Sequence, residues 1–241
     1  MEKIKKLSAN ALKIIALVSM TIDHTGLLLM DNNKLMRNIG RLAFPVFAYM
    51  IAEGCRYTKN KRKYFLRIFV LGLLCQVVYY IAEKNVDQGI LMTFSVSILL
   101  SYAVLWAQNK IRESCEDAGH INKILPWLLP VALIFLAAVI SGEIRILPGR
   151  WYLSFDYGFY GMLLPVLIVL GRDEKQKLLL AAAGMTLTAI SIGGFQWYSF
   201  AALIPLACYN GQRGKWKMKY LFYIYYPLHM AVIYGLSVLI G

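Results

Sequence analysis

The chain has 241 residues, of which 59% are hydrophobic and only 16% are charged, and this balance excludes an ordinary soluble domain. No hydrophilic stretch is long enough for a second folded domain, so the sequence predicts one membrane domain over residues 1–241. The formal net charge of +13 does not indicate nucleic-acid binding, because the basic residues lie in short segments between apolar runs, without a basic domain that carries aromatic platforms.

Nine hydrophobic segments predict an all-α, polytopic membrane helix bundle with about nine transmembrane helices. A cytoplasmic N-terminus places twenty of the 26 Lys and Arg residues inside and six outside. The positive-inside rule therefore predicts a cytoplasmic N-terminus and an external C-terminus. The segments cover residues 12–30, 39–57, 64–83, 90–107, 124–141, 155–170, 178–194, 195–209 and 220–240.

The first segment, LKIIALVSMTIDHTGLLLM, carries Asp23 and His24 near its centre. A carboxylate at the centre of a membrane helix costs roughly 2.5–3.5 kcal/mol on insertion scales, so the pair marks a candidate functional site. Successive helical residues point about 100° apart, so one side chain faces a cavity and the other faces a neighbouring helix. We expect Asp23 to pair with Arg41 or to orient a histidine, with a purely structural ion pair as the alternative.

His24 is the candidate general base, because an imidazole exchanges protons near neutral pH. The alternative is a buried neutral histidine that bonds a backbone carbonyl. Counting helix rise from the cytoplasmic end places His24 at a depth of roughly 18 Å and His229 of the last segment at roughly 14 Å. The two histidines are therefore expected to meet near the midplane, with His229 as a second candidate catalytic residue.

The second segment begins near Arg41, which is a candidate to bind a carboxylate, a phosphate or a developing oxyanion. The alternative for Arg41 is an orientation charge that snorkels to the interface. Glu53 and Arg67 are expected to form a structural pair near the inner face. The basic run that follows is a candidate for the phosphates of coenzyme A, against the alternative of orientation and contact with anionic lipid. This run contains Lys59, Lys61, Arg62 and Lys63.

Four further polar residues are candidates for substrate binding. Two come down the fourth segment toward the level of the histidines, and two begin segments that enter from outside. They are Thr93, Ser97, Asp156 and Gln196. The four cysteines show no paired spacing, so neither a disulfide framework nor a zinc site is predicted. They are Cys55, Cys75, Cys115 and Cys208.

Four sequence blocks follow one another from the first segment to the last. They are IDHTG at 22–26, RNIGRLAFPVFAYMIAEG at 37–54, DYGFYGMLLPVLIVL at 156–170 and YNGQRGKWKMKYLFYIYYPLHM at 209–230. In this combination they resemble the TraX family of bacterial inner-membrane proteins, over nearly all of the chain. The middle region, from about residue 105 to 150, carries no motif that matches that family.

The founding activity of the TraX family is the N-acetylation of conjugative pilin at its N-terminus, so the resemblance implies a multi-pass acetyltransferase of the bacterial cytoplasmic membrane. Its acyl donor would be acetyl-coenzyme A. The acceptor would be an amine or hydroxyl, on a peptide N-terminus, a glycan or a small amine, that is external or embedded in the membrane lipid. The resemblance carries over to residues of four matching blocks, namely Asp23, His24, Arg41, Asp156 and His229.

In the expected reaction, His24 takes a proton from the acceptor, and His229 or Arg41 holds the oxyanion. Direct transfer and an acyl-histidine intermediate are both open at this stage. The rival interpretation is a proton-coupled transporter of small solutes with a His/Asp site at the midplane, although the sequence shows no inverted repeat. A non-catalytic membrane scaffold is a third interpretation.

Overall fold

All regular secondary structure is helical in the computed structural model, which describes residues 6–84, 86–114, 123–145, 152–215 and 219–240. The side chains at 82, 83, 219, 220 and 222 are outside this description as well. Outside the helices, the described ranges contain two isolated β-bridges, which pair Leu7 with Tyr209 and Gln88 with Phe155. The predicted all-α class is confirmed.

Each predicted hydrophobic segment corresponds to a helix or to a pair of consecutive helical pieces. The α-helices are α1 (Ala9–Leu28), α2 (Lys34–Gly40), α3 (Ala43–Tyr57), α4 (Lys61–Glu83), α5 (Ile90–Glu113), α6 (Leu128–Ile140), α7 (Gly158–Leu170), α8 (Glu174–Ile192), α9 (Leu203–Ala207) and α10 (Lys219–Ile240). Two 3₁₀ helices precede α6 and α9, at Leu125–Trp127 and Gly194–Ala202.

Four helices of the described chain are long and apolar enough to cross a membrane: α1, α5, and the stretches Lys61–Ile81 of α4 and Tyr223–Ile240 of α10. The protein is therefore built as a membrane protein. The nine-span topology and the sides on which the two termini lie stay predictions.

Two elements differ from the sequence-based expectation. The helix α2 begins between the first two predicted segments and ends just inside the second. Asn33 caps its start by accepting hydrogen bonds from the backbone N–H groups of Leu35 and Met36. The eighth segment begins as a 3₁₀ helix, and the positive φ angles of Gly193 (73°) and Gly194 (56°) allow the sharp entry into it.

The chain forms two compact units, one from Met1–Met50 with Met185–Gly241 and the other from Ile51–Gly184. In the first unit, α1 packs against α2 and α10. Ser8 caps α1, and backbone hydrogen bonds tie its start to the segment before α10: Leu7 N donates to the carbonyl of Cys208 (3.0 Å) and Ala9 N to that of Gln212 (2.8 Å). These bonds join the two sequence segments of the unit at the start of α1.

In the second unit, α5 packs against α4, α6 and α7. A buried ion pair lies in the same unit, where Lys177 Nζ is 2.8 Å from Glu53 Oε1 and 2.9 Å from Glu174 Oε1. The expected pairing of Glu53 with Arg67 is therefore wrong. Arg67 is exposed, whereas Lys177 is 2% exposed, and a buried carboxylate needs a cation that is also withdrawn from solvent.

Replacing Lys177 by Met should destabilise the protein, because Glu53 would keep its buried position without a counter-charge. Removal of one partner of a buried pair typically costs about 3–5 kcal/mol. Thermal unfolding in detergent measures the effect. The matched control is Lys175→Met, since Lys175 is exposed on the same helix. Equal melting temperatures for the two variants would show that the Glu53–Lys177 pair contributes nothing.

Candidate active site

Two histidines from opposite ends of the chain meet in the first unit. Nδ1 of His24, on α1, is 3.0 Å from Nε2 of His229, on α10. The ring centroids are 5.1 Å apart and the ring planes are inclined at 35°. His229 is buried and His24 is partly buried. The convergence that the helix-depth count predicted is therefore observed.

A second hydrogen bond determines which ring nitrogens carry protons. Nδ1 of His229 lies 3.0 Å from the carbonyl oxygen of Tyr225, one turn earlier. A carbonyl can only accept, so this Nδ1 carries the hydrogen and Nε2 of the neutral ring is an acceptor. Nδ1 of His24 must then donate to it, which leaves the lone pair of His24 on Nε2. Nε2 of His24 is therefore the unprotonated imidazole nitrogen that is left outside the two hydrogen bonds of the pair.

The tyrosines of α10 hold His229 in one orientation. The ring of Tyr225 stacks on the imidazole, with centroids 5.4 Å apart and 9° between the planes. Its hydroxyl is 2.6 Å from Oγ1 of Thr21, which itself donates to the carbonyl of Leu17. Because the Thr21 proton is used in that way, the Tyr225 hydroxyl is the donor to Thr21. The ring of Tyr226 contacts the same imidazole at 5.7 Å between centroids.

Asp23 faces α2, while its neighbour His24 faces α10. Oδ2 of Asp23 accepts from Nη1 of Arg37 at 2.7 Å, and Oδ1 accepts from Nη2 of Arg41 at 2.8 Å. Asp23 and Arg41 are both buried. The pairing of Asp23 with Arg41 that the sequence suggested is present, and the divergence of two successive side chains explains why the acid and the histidine serve different neighbours.

Glycine allows this close approach of α1 and α2. A Cβ atom on Gly40 would overlap the side chain of Asp23, and a Cβ on Gly26 would lie 2.5 Å from Cβ of Met36. The arginines Arg37 and Arg41 stand one helical turn apart in the motif RNIGR, so both point toward the carboxylate on α1. The ion-paired cluster therefore depends on two glycines as well as on three charges.

Gln196 lies in the Gly194–Ala202 3₁₀ helix of the first unit and is 1% exposed. This helix packs against α2, and the guanidinium carbon of Arg41 is 5.7 Å from the ring centroid of Phe195, the residue before Gln196. The structure thus brings two predicted site residues, Arg41 and Gln196, into adjacent elements. The role of Gln196 in substrate binding stays a prediction.

The remaining candidates for substrate binding lie in the second unit. The hydroxyls of Thr93 and Ser97 are fully buried and bond to main chain, from Thr93 to the carbonyl of Asp156 (2.9 Å) and from Ser97 to that of Met162 (2.9 Å). These bonds join α5 to the start of α7 and to α7 itself. Asp156 is exposed. A contact of these three residues with substrate stays a prediction, and the bonds that the two hydroxyls make are structural.

The basic run is at the surface of the second unit, around the start of α4. All four side chains are exposed, and one of them, Lys61, lies over the ring of Tyr102 at 5.5 Å from Nζ to the centroid. Coenzyme A binding by this run stays a prediction. The four residues are Lys59, Lys61, Arg62 and Lys63.

Sequence reasoning left out Arg37 and Tyr225, which contact Asp23 and His229 directly. The spacing of RNIGR carried a signal for Arg37, because it lies one turn from Arg41. The signal for Tyr225 was weaker, namely its position four residues before His229 in a tyrosine-rich helix.

Three cysteines are free thiols, whereas Cys115 lies outside the described residues. Within the described ranges, no group of three His, Cys, Asp or Glu residues could hold a metal ion.

Comparison with known proteins gives a family and several distant relatives. The model of the TraX protein family matches residues 8–237. A probable fimbrial assembly protein FimC (serogroup H1) of Dichelobacter nodosus is 26% identical, over 94% of both chains. The uncharacterised protein RP591 of Rickettsia prowazekii (strain Madrid E) is 29% identical, over 83% of this chain and 68% of its own. Protein TraX of Escherichia coli is 23% identical, over 92% and 84% respectively. No solved structure matches.

Replacing Gly40 by Ala should disrupt the Asp23 cluster, because the added methyl group would overlap the carboxylate. Overpacking of this kind typically costs about 1–3 kcal/mol, measured as a lower melting temperature in detergent. Gly235→Ala is the matched control, since a Cβ at Gly235 on α10 meets no atom within 4 Å. A Gly40→Ala variant as stable as the control would argue against close packing of α2 on Asp23.

Proposed function

The chain belongs to the TraX family, and we propose that it is an integral membrane acetyltransferase, which moves an acetyl group from acetyl-coenzyme A to an amine or hydroxyl. The single observation that carries this proposal is the His24–His229 hydrogen bond, which leaves Nε2 of His24 unprotonated. A lone pair held in one direction within a helical membrane protein is what a general base requires. From the family match and the four long apolar helices, we also propose that the protein lies in the bacterial cytoplasmic membrane.

His24 removes the proton from the acceptor as its nitrogen or oxygen attacks the thioester carbon. The bond from this atom to the acetyl carbon forms, and the bond from that carbon to the coenzyme A sulfur breaks. The proton on Nε2 of His24 then passes to the leaving thiolate, so the base is restored. His229 accepts a hydrogen bond from Nδ1 of His24 throughout and thereby keeps the imidazolium in place.

Asp23 and its two arginines hold α1 against α2 beside the base. In the proposed reaction Arg41 is the candidate to stabilise the oxyanion of the tetrahedral intermediate, since it carries a fixed positive charge in a buried position. As a separate proposal for the second unit, the basic run around the start of α4 binds phosphates of coenzyme A, because its four cationic side chains are exposed.

His24→Ala should lower the rate of acetyl transfer by about 10²–10⁴, the usual contribution of a general base. His229→Gln should lower the rate less, because a glutamine can accept one hydrogen bond without reproducing the ring. Coenzyme A release from acetyl-coenzyme A, measured in detergent with a panel of amine and hydroxyl acceptors, is the readout. His120→Ala is the control, since the remaining histidine of the chain has no part in the proposal.

Near-wild-type turnover in His24→Ala would remove His24 from the reaction. Acid quenching followed by mass analysis of the peptide that contains His24 separates direct transfer from an acyl-histidine route, because only the latter leaves an acetylated histidine. A carrier would instead show proton-coupled uptake into vesicles without any release of coenzyme A.

A further inference from the structure

The cluster around Asp23 joins one carboxylate to two guanidinium groups. Oδ2 of Asp23 accepts from Arg37 and Oδ1 accepts from Arg41, in a largely buried position. Among the described residues of the first unit, the other carboxylate is Asp31, and it is exposed. Among the described residues of this unit, Asp23 is therefore the carboxylate that binds Arg37.

Arg37 has an unused hydrogen-bonding edge. Its Nη1 donates to Asp23, but its Nε is buried and has no hydrogen-bond partner among the described residues. The Nε edge of a guanidinium is one of those that bind a carboxylate or phosphate through two parallel hydrogen bonds. Arg37 therefore holds Asp23 through Nη1 and keeps its Nε N–H group for a second oxyanion.

Two more unpartnered polar groups lie on the neighbouring 3₁₀ helix. Oε1 of Gln196 and Oγ of Ser199 have no hydrogen-bond partner within the described part of the chain, although the two residues are only 1% and 0% exposed. In a 3₁₀ helix, residues three apart are aligned on one face, so both groups point the same way. Ser199 can donate its hydroxyl hydrogen, and the Gln196 amide can turn to present its NH₂ group.

These groups belong to elements in direct contact. The Gly194–Ala202 helix packs against α2, and Arg41 lies over Phe195, the residue before Gln196. The carboxylate of Asp23 fixes the other side of Arg37 and Arg41, and the candidate base His24 is the next residue in the chain. A ligand bound here would lie on the α2 side of α1, against the cluster of the residue that precedes the base.

We propose that Arg37, Ser199 and Gln196 form a buried subsite that binds a carboxylate or phosphate group of the acyl acceptor. That the occupant is the acceptor rests on the proposed function, whereas the binding of an oxyanion rests on the buried, unpartnered polar groups of Arg37, Ser199 and Gln196. The acceptor would thus carry an anionic group as well as the amine or hydroxyl that is acetylated. The anion anchors it on the α2 side of α1.

Anion binding can be tested without catalysis. The melting temperature of the detergent-solubilised protein is measured during titration with sodium acetate or sodium phosphate, and with sodium chloride or neutral acetamide as controls. At a concentration a hundredfold above the dissociation constant, the bound oxyanion should raise the melting temperature by roughly 5–10 °C. The rise should saturate. The more effective oxyanion identifies the acceptor's group as a carboxylate or a phosphate.

Variants separate specific binding from a general salt effect. Arg37→Lys keeps the charge but loses the planar fork, so it should abolish the saturable rise, and Ser199→Ala should reduce it. Lys34→Gln is the matched control, because Lys34 is exposed on the same helix and should retain the full rise. An unsaturable rise shared by all variants, or an equal rise with chloride, overturns the subsite.

A transfer assay then links the subsite to the acceptor. Glycine is compared with glycinamide, and aminoethyl phosphate with ethanolamine, so that each pair differs in the anionic group. The anionic member with the preferred group should have a KM lower by roughly tenfold to a hundredfold in the wild type and should lose this advantage in Arg37→Lys. Saturable anion binding without acetyl transfer would support the subsite and overturn the proposed function. Acetyl transfer without anion binding would overturn the subsite alone.

Discussion

The hydrogen bond between His24 and His229 is the interaction on which the site depends. It joins the first helix to the last and decides, through the Tyr225 carbonyl, which imidazole nitrogen lacks a proton. Neither ring could have this definite state alone, since an isolated neutral imidazole exchanges its proton between two nitrogens. Tyr225 stacks on His229 and Tyr226 contacts the same ring edge-on. The hydroxyl of Tyr225 donates a hydrogen bond to Thr21, and these contacts together keep the bond between the two histidines in place.

The Asp23 cluster performs a different task with the adjacent residue. A carboxylate and two arginines fasten α2 to α1, and the close approach requires glycine at position 40. Asp23 and His24 contact different helices, because the side chains of successive helical residues point about 100° apart. The acid is committed to the fold on one side of α1, and the histidine remains available for chemistry on another.

Much of this arrangement was predictable from periodicity, charge and depth. Hydrophobic segments located the helices, and the depth count correctly brought His24 and His229 together. Pairing partners were harder to predict, because they depend on the rotation of each helix. Glu53 pairs with Lys177 and not with Arg67. The hydroxyls of Thr93 and Ser97 donate to main-chain carbonyl groups of the neighbouring segment. The short helix α2 was missed because its capping by Asn33 is a local signal within a predicted loop.

The separation of the two histidines along the chain has a consequence for biogenesis. They are 205 positions apart, so the ribosome must complete the last helix before His24 acquires its partner. An unfinished chain that has already inserted its first helices therefore carries an imidazole of undefined tautomer. The histidine pair on which the proposed acetyl transfer depends would therefore form only when α10 docks beside α1, and shorter translation products would lack it.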